Sequence, residues 1–197
     1  MLEDHTQPVP PAQLTAIQQA TAANGFSMPS ESLTGALLRS LAASKPGGRL
    51  LELGTGTGLA TAWLMAGMDA AATLTSVDSD ADVQKIARDY LGHDPRLTLI
   101  HQPGEEFIAQ ASNEQAKYDL IFADTWPGKY WLLEETLALL SPGAFYIIDD
   151  MLPQRNWPED HPPKVAALIA DLEARRDFAV TKLAWASGLM ILTRRAV

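Results

Sequence analysis

The chain contains no cysteine. That absence removes disulfide frameworks, thiolate zinc sites and cysteine nucleophiles together. Positive charge is scarce as well: 15 Lys and Arg stand against 24 Asp and Glu, for a formal net charge of −9. A surface this acidic repels phosphate backbones and argues against general nucleic-acid binding. The two dense cationic pairs, Arg175-Arg176 and Arg194-Arg195, read as a solvated helix face and a strand end. No apolar run is long enough to span a bilayer; the longest, residues 59–74, is broken by Gly67 and Asp69. The N-terminal "MLEDHTQPVPPAQ" is acidic and proline-rich, unlike the basic start and apolar core of a signal peptide. The expectation is a soluble, cytoplasmic protein with no nucleic-acid and no membrane partner.

A chain of 197 residues suffices for one domain with a sizeable core. Residues 1–13 read as a flexible arm, and residues 14–24 as a helix that Gly25 terminates. In "MPSESLTGALLRSLAAS", Ser30 is the expected N-cap of a second helix carrying Leu33, Leu37, Leu38 and Leu41 at helical spacing. Beyond "KPGG" the chain alternates. Short apolar strands are expected at 49–53, 73–78, 97–101, 118–123 and 144–149, with helices at 58–67, 80–91, 105–112 and 130–140. Such alternation argues for a parallel α/β sheet with right-handed crossovers. The tail differs: after a helix near 163–175, "FAVTKLAW" and "GLMILTRR" are separated only by Ala186-Ser187. So short a link permits a hairpin and not another crossover.

"LLELGTGTGLATAWL" carries the strongest signal. A strand ends at Leu53, glycines occupy 54, 56 and 58, and a helix follows at once. Glycines there allow a sharp turn and close ligand approach, while the helix start presents free N–H groups. Neither the dinucleotide spacing nor the Gly-Lys-Ser/Thr of a nucleotide-triphosphate loop is present; the pattern is E-x-G-x-G-x-G from Glu52. About twenty residues on, the second strand ends in "TSVDSD". An acidic side chain at that point can accept from both ribose hydroxyls of an adenosine-bearing cofactor. Asp78 fits that role and Asp80 fits the N-cap of the next helix.

With "LLELGTGTG", Asp78 and the strand series through "LTRR", the chain resembles the class I S-adenosylmethionine-dependent methyltransferases over roughly residues 28 to 195. The resemblance implies a doubly wound, Rossmann-like α/β sheet of seven strands, mostly parallel with a C-terminal antiparallel strand, and helices on both faces. It divides the chain into an arm and helix (1–27) and a methyltransferase domain (28–197). It places Glu52, Gly54, Thr55, Gly56, Gly58, Asp78, Ser79, Gly104, Glu105 and Asp124 around S-adenosylmethionine. His101 and Gln102 stand at the adenine position, though His101 reads equally as a strand-end histidine with a structural partner.

Asp124 ends the fourth strand in "YDLIFADTWPGKYW", and Asp149 and Asp150 end the fifth in "AFYIIDDM". Ligands gather at the carboxyl ends of such strands, so three carboxylates are expected on one side of the pocket, where they call for a cation or a substrate amine. This arrangement, with the aromatic positions Trp126 and Tyr130 and the entry segment from Met28, resembles the metal-dependent catechol and caffeoyl-coenzyme A type O-methyltransferases. It implies that Asp124, Asp149 and Asp150 hold Mg2+, or Ca2+ or Mn2+. The other reading is that these aspartates anchor loops around a Trp-Pro-Gly turn. The family's lysine falls on Pro127, leaving Lys129 or His161 as proton acceptors. Trp157 is either a substrate-stacking residue or a plug for the proline-rich segment 155–163, a candidate lid. The functional expectation is O-methylation of a small hydroxylated, catechol-like acceptor, with a homodimer as the family's common assembly. The alternatives are a metal-independent methyltransferase, a non-catalytic S-adenosylmethionine-binding protein, and, last, a dehydrogenase.

Overall fold

The computed structural model describes residues 9–154 and 157–196. The first eight residues of the expected arm lie outside that range, as do residues 155 and 156 of the proline-rich segment. The first helix, α1 (Leu14–Asn24), ends at Gly25, whose N–H reaches Thr21 O and Ala22 O from a left-handed backbone with φ +80°. Helix α2 (Ser32–Ala43) starts later than expected. Glu31 holds its cap position without a side-chain bond, and Ser30 is not the cap. Alternating elements follow: β1 (Arg49–Leu53), α3 (Leu59–Gly67), β2 (Thr73–Asp78), α4 (Ala81–Leu91), β3 (Leu97–His101), α5 (Gly104–Asn113), β4 (Tyr118–Ala123), α6 (Leu133–Ala138), β5 (Leu140–Ile148), α7 (His161–Ala174), β6 (Phe178–Leu183) and β7 (Leu189–Arg194).

The seven strands form one sheet in the order β3-β2-β1-β4-β5-β7-β6. Strands β1 to β5 pair in parallel, and β7 inserts antiparallel between β5 and β6. Successive strand residues face opposite sides, so each strand feeds two cores. Leu51, Leu53, Ile121, Tyr146 and Ile148 pack with Phe107, Ile108, Leu168 and Leu172 of α5 and α7. Their neighbours Leu50, Leu120, Phe122 and Ile147 pack with Leu14, Ile17, Leu38 and Trp63 of α1, α2 and α3. Helix α1 therefore shares a core with the elements beyond residue 28. Among the described residues no helix is long and apolar enough to cross a membrane.

Three boundaries depart from expectation for local reasons. Helix α6 covers only part of 130–140, because residues 126–131 close into a compact turn and Leu132 stands in the left-handed region at φ +56°. Strand β5 begins four residues early at Leu140, where it pairs with Tyr118 before the register shifts. The β6–β7 link is residues 184–188 rather than two residues. Register then aligns the strand ends that matter: Leu53 lies beside Val77 and Ala123, and Ala123 beside Ile148. The glycine loop, Asp78, Asp124 and Asp149 consequently leave the sheet along one edge, where strand order reverses around β1.

Candidate active site

A cavity of about 980 Å³ opens at that edge. It is lined by Gly54, Thr55, Gly56, Asp78, Asp124 and Asp149, by residues 26–31, and by Trp157 and His161. The loop is shaped by contact with its surroundings. Gly54, at φ +98°, passes so close to β4 that a Cβ would lie 2.6 Å from Asp124 O. Gly56 donates its N–H to Asp78 Oδ2 at 2.7 Å, and Asp80 N–H takes Oδ1 at 2.9 Å. Gly58 plays another part. It precedes α3 at φ +92°, and a Cβ there would meet Ala87 Cβ of α4 at 2.7 Å. It does not line the cavity, so its role is helix packing.

Asp78 and Ser79 line the cavity, while Asp80 caps α4 by accepting from Asp82 and Val83 N–H at 3.0 Å each. His101 contacts Ser79 O at 3.1 Å through Nε2, a backbone partner of the kind its strand-end reading allows. Gly104 and Glu105 open α5 outside the cavity lining, with Gly104 against Pro127. Glu52 also lies outside the lining. It is fully buried beneath the loop, where one carboxyl oxygen accepts the hydroxyls of Thr61, at 2.5 Å, and Ser76. Ser76 bonds Thr55 Oγ1, which receives Gln84 Nε2 at 3.1 Å. The other carboxyl oxygen of Glu52 has no partner. Burial, which disfavours the charged form, pushes its pKa to about 8 despite the two hydroxyl donors. This hydroxyl chain ties Glu52 to the loop from beneath.

On the acceptor side, Asp149 is buried, and its Oδ1 accepts the Ser187 hydroxyl and the Asp150 N–H, the latter at 2.8 Å. Asp124 Oδ2 accepts the Ser30 hydroxyl at 3.0 Å. Burial raises the pKa of both carboxyls above the usual range, and their negative neighbours add to it. Lys129 opposes this for Asp124. The Trp-Pro-Gly turn buries Lys129 at the cavity wall, where Nζ donates to Asp149 O at 2.8 Å. His161, the first residue of α7, contacts Tyr130 Oη at 3.1 Å through Nε2, while its Nδ1 is buried without a partner. Burial, followed by Lys129 and Lys164, lowers its pKa. Trp157 packs 4.5 Å from the His161 ring and also lines the cavity, so it is both contact and wall.

The metal expectation finds no matching arrangement. Among the described residues no three His, Asp or Glu side chains are grouped to hold an ion. Asp149 Oδ1 and Asp124 Oδ2 are already engaged by Ser187 and Ser30, and the Lys129 amine, bonded to the Asp149 carbonyl, lines the same cavity. Asp124, Asp149 and Asp150 share the cavity but do not form an ion cage.

A family model described as a methyltransferase domain matches residues 51–151, just over half of the chain. The chain belongs to this methyltransferase-domain family. Among curated proteins, a "Putative O-methyltransferase" of Mycolicibacterium vanbaalenii is 33% identical over 119 residues, covering 58% of this chain and 52% of that protein. The chain thus spans about half the length of the curated relatives it matches. Among solved structures, an O-methyltransferase of Bacillus cereus in complex with S-adenosylhomocysteine superposes with a TM-score of 0.82 at 20% identity, over 98% of this chain and 94% of that one. TomG of Streptomyces achromogenes, an O-methyltransferase in complex with S-adenosylmethionine, gives 0.76 at 18% identity, over 94% and 90%. Both likenesses establish the fold of this methyltransferase-family chain.

Two contributors escaped sequence reasoning. Ser187 lies 38 positions from the Asp149 carboxylate it holds, in a hairpin link with no motif. Ser30 was assigned by its place before a helix, although its hydroxyl turns toward Asp124, 94 positions on.

Proposed function

We propose that this chain transfers the methyl group of S-adenosylmethionine to a hydroxyl of a small, hydroxylated aromatic acceptor. The observation that carries this reading is one continuous cavity joining the Gly54–Gly56 loop and Asp78 to Asp124, Trp126 and Trp157. Its volume lies in the range of small-molecule sites. Asp78, fixed by two loop N–H groups, receives the ribose hydroxyls; the aromatic side chains give a planar acceptor faces to pack on. The acceptor's O–H proton passes to the Asp124 carboxylate, whose raised proton affinity suits it to the task. The oxygen's electron pair forms the new C–O bond as the S–CH3 bond breaks, and the bonding pair of the S–CH3 bond stays on sulfur in S-adenosylhomocysteine. Holding the two reactants in line supplies most of the acceleration.

Both proton acceptors suggested from sequence are engaged within the fold. Lys129 Nζ is a donor to Asp149 O, and the nitrogens of His161 are bonded to Tyr130 or buried. The acidic lining and the net charge of −9 oppose a nucleic-acid acceptor.

Calorimetry with S-adenosylhomocysteine and with NAD tests the cofactor class; NAD binding without S-adenosylhomocysteine binding overturns the reading. Methyl transfer from labelled S-adenosylmethionine to a panel of phenols and catechols tests the reaction. Cofactor binding without transfer to any hydroxylated acceptor leaves a binding protein instead of an enzyme.

A further inference from the structure

We infer that the Lys129 ammonium takes the place a divalent cation would fill, so that the acceptor site carries its own fixed positive charge. The inference rests on the methyltransferase reading for its chemistry, but its central observation is geometric. Lys129 is 4% exposed, and a lysine so buried requires compensating partners. It has them: Nζ donates to the Asp149 carbonyl, and Asp124, Asp149 and Asp150 line the same cavity. Among the described lining residues it is the only lysine or arginine.

The Trp-Pro-Gly turn makes the charge a fixed point. Gly128 stands at φ +88°, its N–H donates to Trp131 O at 2.8 Å, and its carbonyl receives the Tyr146 hydroxyl. A Cβ on Gly128 would lie 2.9 Å from Leu53 Cδ1, so the turn is pressed onto β1. Lys129 N–H is held by Trp126 O at 3.1 Å. The main chain on both sides of Lys129 is therefore anchored, and the side chain reaches inward rather than snorkelling to solvent.

A chemical consequence separates this site from a metal centre. A divalent ion has several open positions and can grip two neighbouring oxygens of one acceptor. An ammonium is a point charge with three donors, one already spent on Asp149 O. It can steady one oxyanion and gains little from a second adjacent hydroxyl. The acceptor class is therefore phenols in which a single hydroxyl suffices, with no requirement for a vicinal pair.

The test measures Mn2+ binding by electron paramagnetic resonance in the wild type, Lys129→Met and Lys129→Arg, with S-adenosylhomocysteine affinity measured on each. The wild type and Lys129→Arg are expected to take up no stoichiometric Mn2+. Lys129→Met, relieved of the positive charge, is expected to bind it at least about tenfold more tightly than the wild type. Stoichiometric Mn2+ in the wild type, or equal affinity in Lys129→Met, overturns the inference. Lys129→Gln repeats the neutral substitution with a polar side chain should Lys129→Met not fold. Turnover unaffected by chelator, and equal within about threefold on a phenol and the matching catechol, supports it; a chelator-abolished rate overturns it. If the wild type fails to bind S-adenosylhomocysteine, the methyltransferase reading falls, while the Mn2+ comparison still decides the charge at Lys129.

Discussion

Gly56 and Asp78 are directly joined, with the loop N–H donating to the carboxylate at 2.7 Å across 22 residues of sequence. The glycine loop and the side chain proposed to receive the cofactor's ribose are therefore held to each other. Asp78→Asn keeps the shape but replaces one acceptor oxygen with a donor that faces the N–H of Gly56 or Asp80. The expected outcome is a ten- to hundredfold loss of S-adenosylhomocysteine affinity, about 1.4–2.8 kcal/mol. Calorimetry checks it, and an unchanged Kd would remove Asp78 from the cofactor site.

Gly58 belongs to the same motif yet answers to different physics. Alanine there meets Ala87 Cβ at 2.7 Å and must hold φ +92°. Overpacking and left-handed strain together are expected to cost roughly 2–4 kcal/mol. Thermal unfolding should register this as a drop of about 5–15 °C. Since Gly58 does not line the cavity, the folded fraction should retain its cofactor affinity. Wild-type stability in Gly58→Ala would contradict the packing role.

Much of this separation was legible in the residues themselves. Strands β1 to β4 fall where short apolar runs between turn residues place them, and for the central β1 and β4, buried on both faces, composition has little freedom. Asp80 caps α4 for the same local reason. What could not be read depends on distant contacts. The Ser30 hydroxyl chooses between capping α2 and bonding Asp124, and only the fold brings Asp124 within 3.0 Å. The aspartates after β4 and β5 were visible as a group, and so was a Pro-Gly turn able to swing Lys129 into reach; that its Nζ would bond the Asp149 carbonyl was not. Glu52 looked like part of the ligand-binding motif; its neighbours Thr61 and Ser76 turn it inward because strand β1 is covered on both faces.

Glu52 should make stability depend on pH in an unusual direction. Its pKa is about 8 in the folded chain, against an ordinary 4.5. Between those values the folded state binds the proton more tightly than the unfolded state does. The stabilisation is thus complete below about pH 4.5 and is lost as pH rises through about 8. Glu52→Gln cannot ionise and should lack this decline. Denaturant titrations at pH 5 and pH 8 should show the wild type weakening relative to Glu52→Gln by an amount on the order of 1–3 kcal/mol. Parallel curves for the two proteins would mean that Glu52 does not titrate over this interval.

Asp124 is expected to govern the acid limb of the rate profile. As proton acceptor it must be ionised, and burial raises its pKa above the ordinary aspartate range. Activity should therefore fall with decreasing pH at a point above the ordinary aspartate value of about 4. The charges around Asp124 give the assignment two opposite signatures. The carboxylate of Asp150 raises the Asp124 pKa, so Asp150→Asn should move the limb of kcat/KM to lower pH. The Lys129 ammonium lowers it, so Lys129→Met should move the limb to higher pH in whatever activity remains. Asp124→Asn, which cannot accept the proton, should lose about 10²- to 10⁴-fold in kcat. A limb that stays in place in both neighbouring variants would assign the proton to another group, even if Asp124→Asn were inactive for structural reasons.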